Sequence, residues 1–154
     1  MRFVVGISVV FVLMAITIAT AQYGDYEYGS PTGSAAAGQL QTARMHAGFA
    51  AGADVLAGTL DHLAHTVNCL EGQRGANYNA RALNPCQGQG NGIIPDLQTE
   101  SGRGQMGAAR AMELSREADR IAVETLRVTD LARAKAAATR VAELLGEALK
   151  AIGQ

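Results

Sequence analysis

The sequence predicts an all-α protein, an antiparallel three- or four-helix bundle, on three observations. Apolar residues recur at helical spacing in long stretches on either side of the chain's middle. Alanine accounts for 29 of the 154 residues while aromatic residues make up only 5 %, so a core must be built from small and aliphatic side chains, which suits closely packed helices. A segment rich in Gly, Asn and Gln separates the helical stretches. At 16.0 kDa the chain is long enough for one small domain. With 13 basic and 14 acidic residues its formal charge is −1, and the basic residues are scattered singly, which argues against nucleic-acid binding.

Residues 1–21 read as a signal peptide. Arg2 precedes an apolar run from Phe3 to Ala19, and Ala19-Thr20-Ala21 before Gln22 has the small-residue pattern of a cleavage site. About 17 apolar residues is also the lower limit for a membrane anchor, but the cleavage pattern favours removal. Nothing after the signal is apolar for long enough to span a bilayer. Eleven of the 13 basic residues are Arg, which with the Ala and Gly content suggests a GC-rich bacterial genome. The expected address is therefore periplasmic or secreted. Residues 22–33 (QYGDYEYGSPTG) hold three of the four tyrosines without any period that would bury them, and are expected to form a flexible leader.

The helical-bundle domain is expected over 34–154. From Ser34 to Leu70 the residues are strong helix formers. At 100° per residue Phe49, Ala53, Leu56, Leu60, Leu63, Val67 and Leu70 fall on one stripe. A break is expected at Gly52-Ala53-Asp54, with Gly52 left-handed at the end of one helix and Asp54 capping the next. Gly48 and Gly52, with Val55 and Thr59, make a small-residue strip suited to close packing against the final helix or to self-association. Residues 71–104 read as one long Gly-rich loop, tied down by a Cys69–Cys86 disulfide; the even cysteine count fits an oxidising compartment, and the spacing is not that of a redox C-x-x-C.

Gln105 to Arg127 is helical again, with Ala108, Ala111, Leu114, Ala118, Ile121, Ala122 and Leu126 on one face and ion pairs on the other. Asp119 falls inside the apolar arc and is expected at the core edge or in polar contact with the loop. Met106 and Met112 read as core fillers. Continuing the helix through Val128-Thr129-Asp130 would move the apolar face by about 140°. A tight turn is therefore expected there, with Thr129 or Asp130 as cap, before a last helix carrying Leu131, Ala134, Ala138, Val141, Ala142, Leu145, Leu149 and Ile152.

All three histidines lie in the first half of the chain: His46, His62 and His65. On one continuous rod they could not converge. A reversal near residue 53 would set His46 opposite Leu60, one helical turn from His62, and would allow a three-imidazole metal site with Asp61 as fourth ligand or as the acceptor that orients His65. Neutral imidazole suits copper, zinc, nickel and iron, with copper or zinc preferred here. His62 and His65 avoid the apolar stripe, so core packing does not account for them.

Other chemistries find less support. A hydrolytic triad lacks an exposed nucleophile. Gly88-Gln89-Gly90-Asn91-Gly92 lacks the preceding strand and the Lys-Ser/Thr pair of a nucleotide loop, and aromatic walls for haem are too few. The sequence thus points to a non-enzymatic, exported protein that binds a transition metal ion for buffering or delivery. The alternative is a structural or accessory module that uses its helix faces and tyrosine leader to bind a larger exported or membrane complex, without metal.

Overall fold

A computed structural model describes residues 34–154; the expected signal peptide and leader lie outside them. Among the described residues there are five α-helices and no strand: α1 (Ala36–Gly52), α2 (Leu56–Glu71), α3 (Ile93–Gly102), α4 (Ala108–Thr125) and α5 (Leu131–Ala151). No helix among the described residues is long and apolar enough to cross a membrane.

Helix α1 buries Ala36, Leu40, Ala43, Ala47 and Ala50, all with no exposure. This one face is mostly methyl groups, so neighbouring backbones can approach closely. Helices α2 and α5 both pack against α1. The α2 hydroxyl of Thr66 lies 3.5 Å from the Ala43 carbonyl of α1, which records how near the two backbones come. Helices α4 and α5 pack on each other through Ala108, Ala111, Leu114, Ala118 and Ala122 on one side and Ala138, Val141, Leu144, Leu145, Ala148 and Leu149 on the other, with Met112, Ile121 and Leu126 at the margins of the same core. The expected turn between them exists. Asp130 caps α5, its carboxylate accepting from the Arg133 N–H at 2.7 Å.

The break between α1 and α2 falls where expected but by another device. Gly52 is not left-handed, and Asp54 makes no capping bond; the chain instead turns through extended backbone at Ala53 (φ −63°, ψ 141°) and Val55 (φ −132°, ψ 148°). A β-branched residue such as Val55 favours that conformation. Because the chain reverses, the single stripe read across both helices splits. Leu63, Val67 and Leu70 are fully buried, but Phe49 is half exposed and Ala53, Leu56 and Leu60 are only partly covered. The small-residue strip is not packed against the final helix at its glycines, since a methyl group added at Gly48 or Gly52 would meet nothing. Met106 is 90 % exposed, and Met112 alone of that pair packs on the core.

The segment 71–104 is not one loop, because it contains α3. Pro95 stands in the first turn of that helix, where its missing N–H would have had no partner within the helix. Ile93 and Leu97, one turn apart, are fully buried. Helix α3 is held by a polar latch to α1. Gln39, with no exposure, donates from Nε2 to Asp96 Oδ2 at 2.6 Å and accepts the Gly92 N–H at 3.1 Å. Ser34 donates to Glu100 Oε2 at 2.6 Å, and the Ala36 N–H reaches Glu100 Oε1 at 3.2 Å. At Gly72 (φ 68°) and Gly92 (φ 119°) the end of α2 presses backbone to backbone against the start of α3, leaving no room for a side chain at either position.

The remaining connection, residues 73–91, is gathered by two devices. Asn68, buried on α2, donates to the Asn79 carbonyl at 3.0 Å and accepts the Asn79 N–H at 2.8 Å. Cys69 and Cys86 form a buried disulfide across a sequence separation of 17. Asp119 on α4 is in polar contact with this region: its carboxyl shares a cleft with Glu71 and Gly75, and its Oδ1 is buried without a hydrogen-bond partner.

Two outcomes follow. Replacing both cysteines by Ser should lower the unfolding free energy by about 3 kcal/mol, the chain-entropy value for a loop of this size, as read from urea denaturation. Burial, followed by the neighbouring Glu71 carboxylate, pushes Asp119 up to about 7. The folded state then holds a proton that the unfolded chain releases above the ordinary carboxylate range, so stability falls as pH rises through about 7. Asp119→Asn should remove that decline and raise the melting temperature above pH 7; an unchanged pH profile would refute the assignment.

Candidate metal centre

The reversal at Ala53–Val55 decides the site. It places residues of α1 opposite those of α2 about position 54, so His46 faces His62 directly, where a reversal at residue 53 would have set it against Leu60. His65 follows His62 by one turn on the same helix face. The three imidazoles gather edge-on or tilted around one point, with ring centroids 5.5 Å apart for His46–His62, 5.2 Å for His46–His65 and 5.5 Å for His62–His65. One nitrogen from each ring can be chosen so that all three lie within 4.8 Å of one another, and this group could hold a metal ion.

The closest pair is His46 Nδ1 and His62 Nδ1, at 3.4 Å. That is long for an N–H···N hydrogen bond, which falls at about 2.7–3.2 Å. It matches the edge of a tetrahedron whose metal–nitrogen bonds are about 2.1 Å, an edge of roughly 3.4 Å. His65 is buried, and its Nδ1 has no hydrogen-bond partner. A buried ring nitrogen left without a partner is costly unless something occupies it.

Asp61 stands apart from the cluster of nitrogens. Its Oδ2 lies 3.6 Å from His65 Nε2, and its side chain is 63 % exposed. It is not grouped with the three imidazoles as a fourth donor. Its place is that of a carboxylate beside the second nitrogen of a ligand histidine, where it can orient the ring and favour the tautomer with Nδ1 free.

Electrostatics favour neutral rings. Burial holds His46 below the usual histidine range, the adjacent His65 and His62 add to this, and Asp61 opposes it. Burial likewise lowers His65, with Asp61 opposing and His62 assisting. Neutral imidazole is the form that ligates metal. Phe49 packs against two of the rings, 5.6 Å from His46 and 5.5 Å from His62, and is half exposed. Met45, one turn before Phe49 on α1, is exposed as well. The apolar stripe predicts a core place for Phe49; its spacing of three from His46 is the sequence signal for a place beside the site.

Comparison of the chain with known protein families, with curated proteins and with solved structures finds no match. The chemistry therefore rests on the donor set itself: three nitrogens, no thiolate and no grouped carboxylate, with a fourth position left to water or to a partner's ligand.

The lowered values of His46 and His65 carry a sign that can be checked. The unfolded chain takes up protons below about 6.5, while the folded chain resists protonation until lower pH. In chelator-treated protein this contribution to stability is complete above about 6.5 and is lost as pH falls through the folded values. Thermal melts should therefore show destabilisation on acidification below about 6.5, and His46→Phe should flatten it.

Proposed function

We propose that this chain is a small exported helical bundle that binds one zinc ion through His46, His62 and His65 for buffering or delivery, without catalysing a reaction. The observation that carries the reading is the convergence of the three rings, with the His46 and His62 nitrogens 3.4 Å apart. Three imidazole nitrogens with an open fourth position are a donor set that zinc takes. His46 and His62 are only half-buried, which leaves the ion within reach of exchange. The absence of a Cys from the donor set likewise argues for a site that releases its ion more readily than a Cys-rich structural zinc site.

A second reading is an accessory module whose partner, and not a metal, covers the exposed Met45, Phe49 and Val55. The two part cleanly on a measurement. Purified protein titrated with zinc at pH 7 should bind one equivalent, and His62→Ala with His65→Ala should abolish it. Asp61→Ala should weaken zinc binding by about 10–100-fold through loss of the orienting carboxylate. Metal bound equally by the double variant, or no stoichiometric zinc, would leave the accessory reading.

A further inference from the structure

The histidine cluster is unbalanced in charge once it holds a divalent ion. Its three donors are neutral imidazoles, and neither a thiolate nor a carboxylate is grouped with them. Zinc bound there keeps its whole double positive charge at the donor atoms, unlike zinc on thiolates. The charges that bear on His46 and His65 among the described residues are those of the other rings and of Asp61, with no Arg or Lys. Asp61 Oδ2 lies 3.6 Å from His65 Nε2, outside the donor group, and offsets one unit of that charge. One unit is left uncompensated, beside a buried His65 and half-buried His46 and His62. Water in the fourth position leaves that charge in place, whereas a monoanion cancels it. A dianion would overshoot it with no basic side chain to help.

The approach to the ion has a definite character. Because His65 is buried, entry runs past His46 and His62. Phe49 stands beside both of these rings, at 5.6 and 5.5 Å, and is still 48 % exposed. An aromatic side chain held there offers contact area to an entering molecule that has an apolar body as well as a donor atom. Chloride or hydroxide would answer the charge and leave Phe49 unused.

We propose that the metal-loaded cluster takes a small monocarboxylate with an apolar body as its fourth ligand, its carboxylate on the ion and its body against Phe49. This rests on the three-histidine reading and adds what completes the coordination. A carboxylate oxygen is a donor that zinc accepts alongside histidine. Its entry exchanges one coordination bond for another, displacing water, with no covalent bond broken and no electron transferred. Since such an acid binds the loaded cluster and not the empty one, its concentration also sets how firmly the ion is held.

Cobalt(II) in place of zinc reports both steps, because four-coordinate cobalt absorbs in the visible and its bands move when a ligand is exchanged. Protein stripped by chelator and reloaded with cobalt at pH 7, in a buffer free of chloride and carboxylates, is titrated with sodium formate and with sodium benzoate. Both should shift the bands, benzoate at about fivefold lower concentration, the size of one exposed aromatic contact. Phe49→Ala should remove the preference for benzoate and leave the response to formate unchanged; as the side chain is half exposed, the variant should keep its helix content and its unliganded cobalt spectrum. Absence of the cobalt bands, or their survival in the variant carrying both His62→Ala and His65→Ala, would overturn the metal reading and this inference with it. Cobalt bands that neither acid shifts, benzoate binding no tighter than formate, or a preference that survives Phe49→Ala would overturn this inference alone.

Discussion

The structure depends on the close approach of α1 to its neighbours over alanine. A face of Ala36, Leu40, Ala43, Ala47 and Ala50 holds α1 against α2 and α5 without large side chains to keep them apart. Dispersion at such contacts is small per atom pair, and its sum depends on close fit. The same proximity lets His46 and His62, on facing helices, bring their ring nitrogens to 3.4 Å. A larger residue at Ala43 or Ala47 would separate the helices and open the histidine cluster along with the core.

The polar interior serves position more than affinity. Gln39, Asn68, Asp96 and Glu100 are buried, and each has its hydrogen bonds satisfied within the fold. Together with the disulfide they hold α3 and the connection before it onto α1 and α2, where few apolar side chains are available. Ion pairs on the outer faces of α4 and α5 are exposed and contribute little. Among the described residues three buried side-chain atoms are left without a partner, His65 Nδ1, Ser115 Oγ and Asp119 Oδ1, and the first belongs to the histidine cluster. An unsatisfied buried atom costs more than a bond made elsewhere returns, which is why these three stand out.

Residue by residue, the legible parts of the sequence were those governed by local rules. The helical stretches, the turn capped by Asp130, the disulfide and the break near Gly52 follow from periodicity, capping and cysteine spacing. Helix α3 was hidden because Gly92 and Pro95 resemble loop punctuation, although a proline in a first turn costs a helix nothing. The core role expected of Phe49 failed for a different reason. A stripe computed through a break loses its phase, because the reversal rotates one helix relative to the other.

The sequence by itself determined that the described chain is helical, that its cysteines can pair, and that three histidines lie on a stretch where a reversal could gather them. Tertiary structure alone decided that the reversal centres on position 54, so that His46 meets His62 and not Leu60. It also decided that Asp61 stands beside His65 instead of inside the cluster, and that Asp119 of α4 lines one cleft with Glu71 of α2. The physical reason is one of range. Helix periodicity and capping act within a few residues, whereas the spacing of imidazoles on two helices depends on how closely those helices pack.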